Sequence, residues 1–111
     1  MKVVIHGVHV TVSPELKAHI QSQLADPLAA LFPTDAAELD VHLVDVGNGT
    51  RGGVDKECRI TVHIPKMQSL HLTEVSEDFF KSVSLASHRL DHVAKRHLER
   101  THSHDVGLRP Q

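Results

Sequence analysis

The groups in this chain with chemistry to offer are eleven histidines, twelve lysines and arginines, and one cysteine among 111 residues. His88 and His92 stand four apart, so on a helix both rings would leave one face, with Asp91 beside them. A closed metal site needs two further ligands. The residue after His88 is Arg89, not the glutamate of a hydrolytic zinc helix. That spacing reads as a solvated helical face, and no metal is expected. Cys58 shares its parity with Ile60 and Val62, which marks a small core residue rather than an activated thiolate. As the sole cysteine it excludes an intramolecular disulfide and a multi-cysteine zinc site. The run Gly47 to Gly53 is glycine-rich, but it lacks the Lys-Ser/Thr ending and following helix of a phosphate loop. It reads as a hairpin connection. No catalytic residue, cofactor or small-molecule substrate is expected.

Positive charge is the remaining signal. Met1 to Phe80 holds six Lys/Arg against eleven Asp/Glu, a net of −5; Lys81 to Gln111 holds six against three, a net of +3. Local field matters more to a binding surface than the total of −2. With three Phe and neither Tyr nor Trp, base stacking on aromatic side chains is nearly excluded. Any nucleic-acid contact should therefore be made to phosphates.

The elements that must position these groups follow from periodicity. Val3 to Val10 alternates as a strand, with Gly7 marking a bulge or bend. Ser13-Pro14-Glu15 is a helix start: a cap, a first-turn proline and an acid at the positive dipole end. Leu16, Ile20, Leu24, Leu28 and Leu31 then form one apolar stripe over about 14–31, which Pro27 should kink or split. Leu39 to Val44 and Glu57 to Ile64 alternate as strands, and Ser69 to Val75 is a shorter one. Ser76, with Glu77 and Asp78 after it, predicts the start of a second helix running to about Arg100. Phe79, Val83, Ala86, Leu90, Val93 and Ala94 share its inner arc. Lys81, His88, His92 and Lys95 lie opposite, with Arg89, Arg96 and Arg100 on one flank.

The expected fold is α+β in the order βαβββα: a four-stranded sheet with two helices packed on one face. Strands one and two should be parallel, the rest an antiparallel meander. Residues 1–100 form one domain and residues 101–111 a flexible polar tail. No stretch approaches the ~18 apolar residues of a membrane span, and a cytoplasmic protein is expected.

In this order and with these residues the chain resembles the bacterial ribosome hibernation factors, or ribosome-associated translation inhibitors, formerly called sigma-54 modulation proteins. The resemblance spans about residues 2–100. It rests on Val3-Val4-Ile5-His6-Gly7 with Ser13-Pro14-Glu15-Leu16, on Gly52 to Ile60, and on Glu77-Asp78-Phe79-Phe80 followed by Val83, Arg89-Leu90, Arg96-His97 and Arg100. It implies a fold like that of double-stranded-RNA-binding domains, and a stress-response role. The partners implied are the small (30S) ribosomal subunit and its 16S rRNA, within 70S and 100S ribosomes, with the mRNA and tRNA sites blocked by occupancy. The length resembles that of a short form. The residues expected to contact rRNA are Lys81, Arg89, His92, Lys95, Arg96 and Arg100, with Arg51, Lys56 and Arg59 as a second tier. The alternative, favoured by the acidic first part, is a protein-interaction or regulatory module that kept the fold but lost ribosome affinity.

Overall fold

Alternation and apolar periodicity place the strands and helical layers of the described residues. The computed structural model describes residues 1–47 and 54–108, with side chains through Glu99. In chain order it holds β1 (Lys2–Val8), α1 (Pro14–Ile20), a π-helical turn (Gln21–Ala25), α2 (Asp26–Leu31), β2 (Glu38–Asp45), β3 (Lys56–His63), β4 (Leu70–Ser76) and α3 (Phe79–Leu108). The sheet order is β1-β2-β3-β4. β1 pairs parallel with β2, and the other two pairings are antiparallel. Two helical layers, α1 to α2 and α3, cover one face of the sheet, as the periodicity predicts. No helix among the described residues is long and apolar enough to cross a membrane.

The core is where the two parities separate. Leu39, Val41 and Leu43 of β2 face Val62, Ile60 and Cys58 of β3 across the ladder. All six are buried, together with Leu16, Ile20, Leu24 and Leu28 from the first layer and Val83, Ala86, Leu90 and Ala94 from α3. The other parity of the strands is left on the uncovered face. One-sided coverage is what makes antiparallel strands alternate.

Four local features depart from the simplest reading. β1 ends at Val8, not Val10, because His9 takes a left-handed φ of 60° and turns the chain. Gly7 is a bend rather than a bulge. The ladder runs unbroken through Gly7↔Leu43 and Val8↔Val44, while a Cβ on Gly7 would collide with the Val10 carbonyl oxygen. Pro27 does not end the first helical layer but divides it, the last turns following a π-helical turn as a separate segment, α2. Proline has no N–H, and its ring crowds the carbonyl four residues back. The turn ahead of it is widened, so that the Asp26 N–H donates to the Gln21 carbonyl.

The fourth departure concerns α3. Ser76 does not cap it: this residue is buried as the last of β4, opposite Lys56. Asp78 caps the helix, its carboxylate accepting the Lys81 N–H at 2.8 Å and its carbonyl accepting from Ser82. Ser13 does cap α1, with Oγ 3.1 Å from the Leu16 nitrogen. At its other end α3 continues to Leu108, past Arg100, where loss of the apolar stripe predicts its end. Thr101 to Val106 holds no glycine or proline to stop it. The hairpin residues 48–53 lie outside the described residues.

Candidate nucleic-acid interface

α3 is pinned at several points, which fixes the direction of its outer face. The buried Ser82 hydroxyl donates to the Lys56 carbonyl, tying the helix start to β3. Ser87 Oγ donates to the Gln23 carbonyl at 2.7 Å. His19 of α1 sets its Nε2 3.0 Å from Ser84 Oγ and 3.2 Å from the Phe80 carbonyl oxygen, with its ring tilted against that of Phe80. His19 is therefore a tie between the helical layers. On a helix wheel alone it is only a polar position.

Lys81, Arg89, His92, Lys95 and Arg96 all lie exposed on α3. The side chain of Arg100 is outside the described residues. Arg96 Nη2 is 3.5 Å from His92 Nε2. His88, Arg89, Asp91 and His92 border a shallow depression of about 360 Å³. Among the described residues, the histidines of this face gather no third ligand into a metal cluster.

Three of these cations have carboxylate neighbours. Lys81 Nζ is 2.8 Å from Glu77 Oε1, and Lys95 Nζ is 3.2 Å from Asp91 Oδ2. Arg89 Nη1 reaches Glu74 Oε1 of β4 at 3.3 Å. The hydrogen bond that Lys81 donates to Glu77 holds its ammonium above the usual lysine value. Exposed pairs of this kind are weak, and a competing phosphate can replace them. The face is basic but partly compensated.

The second tier is more firmly committed. Lys56 Nζ sits 2.7 Å from Asp55 Oδ1 and 3.0 Å from Asp45 Oδ2, and these bonds raise its pKa. It staples the base of the hairpin. Arg59 Nε donates to Glu57 Oε2 at 2.6 Å on the uncovered sheet face. Arg51 lies outside the described residues. Cys58 is fully buried, and burial, with Glu74 nearby, pushes its thiol up to about 12. It has no thiolate to offer at neutral pH.

Two features were not visible as sites in the sequence. A cleft of about 320 Å³ opens between the start of β4 and α3, lined by Gln68, Ser69, Leu70, His71, Val93, Arg96 and His97. None of these residues is acidic, so the cleft extends the basic flank toward the sheet edge. On the uncovered sheet face, Glu38, Asp40 and His63 bring three possible cation ligands together. Both features depend on strand register, which residue spacing along one element does not reveal.

A mixed four-stranded sheet with helices on one face and a long outer helix defines an α+β domain. Residues 3–102 match the family described as sigma 54 modulation protein / S30EA ribosomal protein, and the chain belongs to that family. Among solved structures it is similar to the N-terminal domain of Protein Y from Thermus thermophilus, with a TM-score of 0.68 at 18% identity, covering 86% of this chain and 98% of that one. It is likewise similar to a ribosomal subunit interface protein from Coxiella burnetii, with a TM-score of 0.65 at 19% identity and coverage of 86% and 96%. At such identities these likenesses speak for the fold. No curated protein sequence matches the chain.

Proposed function

We propose that this protein is a ribosome-associated hibernation factor that binds small-subunit rRNA and blocks the mRNA and tRNA sites by occupancy. It is a binding protein without catalysis. The supporting observation is the exposed row Lys81, Arg89, His92, Lys95 and Arg96 on one helix of a chain in the S30EA family. The row continues into a cleft free of carboxylates. With no Tyr or Trp to stack on bases, recognition rests on backbone and shape, as is usual for structured RNA. Lys81, Arg89 and Lys95 each trade an intramolecular carboxylate for a phosphate, so affinity requires several contacts at once and falls steeply with salt.

Co-sedimentation with purified 30S and 70S particles tests this. The parent chain should pellet with 30S and 70S particles at low salt and be released as salt rises. The triple substitution Arg89→Ala, Lys95→Ala, Arg96→Ala should keep a helical circular dichroism spectrum while losing most of the pelleted fraction. Equal pelleting of parent and variant would remove α3 from the interface. A parent that never pellets would favour the second reading, a regulatory module without ribosome affinity. The net charge of −5 over residues 1–80 and the carboxylates paired with Lys81, Arg89 and Lys95 speak for that reading.

A further inference from the structure

The uncovered sheet face carries a constellation that RNA binding through α3 does not use. Glu38 and Asp40 stand two apart on β2, and His63 of β3 is the direct cross-strand partner of Glu38. All three side chains therefore leave the sheet on one side. One donor atom from each lies within 4.8 Å of the other two. The two carboxylates keep only 33% and 23% of their side-chain surface exposed, so they are less hydrated than ordinary surface acids.

The histidine separates this group from a mere cluster of acids. His63 Nδ1 lies 2.9 Å from Ser69 Oγ, which orients the ring from outside the group. In the tautomer whose Nδ1–H donates to Ser69 Oγ, the Nε2 lone pair faces the carboxylates. Nε2 stands 3.7 Å from Asp40 Oδ2, beyond hydrogen-bond reach. In that tautomer three electron-rich donors converge. A cation at their centre relieves that repulsion. Lys2 does so only from the rim: its Nζ is 3.8 Å from Glu38 Oε1, and its side chain is 70% exposed and able to swing away.

We propose that Glu38, Asp40 and His63 form an open site for a first-row divalent cation of the Zn²⁺, Co²⁺ or Ni²⁺ class. One imidazole nitrogen with two carboxylates suits these ions, whereas Mg²⁺ and Ca²⁺ prefer all-oxygen shells. Three protein ligands leave further positions to water. Ser69 is a positioning residue: it holds the ring tautomer, as outer partners of metal-bound histidines do. A bound ion cross-links β2 to β3 and reverses the local charge of the two acids.

Zinc titration by calorimetry on the whole, tag-free chain tests this. The background is His88→Gln, His92→Gln, His102→Gln, His104→Gln, which removes the helical pair and the histidines of the last segment. One equivalent of Zn²⁺ should bind this background, and excess Mg²⁺ should not displace it. Asp40→Asn and His63→Gln should each abolish the binding, with circular dichroism unchanged. Ser69→Ala should weaken it by about 10–100-fold. A background that binds no zinc, or Asp40 and His63 variants that titrate like it, would overturn the site. Unchanged affinity in Ser69→Ala would overturn the positioning role.

Discussion

Leu90→Ala tests the phase of α3, on which the direction of every basic side chain depends. Leu90 is 2% exposed and packs with Leu24 and Leu28 of the first helical layer around a crevice of only about 10 Å³. Truncation removes three carbon groups, a transfer loss of ~2.4 kcal/mol at ~0.8 kcal/mol each. Little void exists beforehand, so the walls can close only partly. A residual cavity of ~50 Å³ adds ~1.2 kcal/mol at ~24 cal/mol per Å³, for a total near 3.5 kcal/mol. That is a large share of the stability of a small domain.

The chain has no Trp or Tyr, so unfolding in urea is followed by far-ultraviolet circular dichroism rather than by intrinsic fluorescence. With a slope of ~1.5 kcal/mol per M, the midpoint should fall by ~2 M. A shift below ~0.5 M at unchanged slope would mean that Leu90 does not face the core. The outward assignment of Lys81, Arg89, Lys95 and Arg96 would fall with it.

Asp78→Ala should cost about 0.5–2 kcal/mol in the same assay, whereas Ser76→Ala should leave the helix start intact, because only Asp78 caps it. Equal effects on cooperative unfolding and helicity from both would refute that assignment. Lys56→Met should change the pH profile of stability. The Lys56 hydrogen bond holds Asp45 below the usual carboxylate value, so its contribution is complete above about pH 4 and is lost as pH falls through the lower folded value. Lys56 is raised by Asp55 and then Asp45, so its contribution is lost only as pH rises through that raised value. The variant should flatten both limbs in urea midpoints measured from pH 2 to pH 11, and an unchanged profile would refute the coupling.

The period of two in Cys58-Ile60-Val62 and the stripe Leu16-Ile20-Leu24-Leu28 were enough to read the sheet, the first helical layer and the covered face. These patterns are legible because burial acts on each residue according to its own position along one element. The start of α3 was less legible. Ser76 and Asp78 are both good caps, and the choice was made by the ladder pair Lys56↔Ser76, which belongs to the sheet. Arg89 with Glu74 is a contact between β4 and α3, and its fifteen-residue separation carries no periodic signal. The Glu38, Asp40 and His63 group needs the β2–β3 register, which the length of the hairpin sets. Elements and core were thus written locally, while the charge partners were not.

That division bears on how α3 can act as a binding surface. An unpaired row of cations repels itself and binds polyanions without selectivity. Here Glu77, Asp91 and Glu74 hold Lys81, Lys95 and Arg89 near the helix surface, which reduces that repulsion and keeps the side chains close to where a phosphate would meet them. The carboxylates also set a threshold. A single phosphate gains little over the acid it displaces, because exposed pairs are weak and differ little in free energy. An RNA surface presenting several phosphates along the helix engages all the cations together and releases counterions with each contact. Partial compensation therefore lowers affinity for isolated anions more than for an extended, shaped phosphate array. A net charge of −2 is compatible with the proposed RNA binding on this basis, since in that proposal the array meets the outer face of one helix and not the whole molecule.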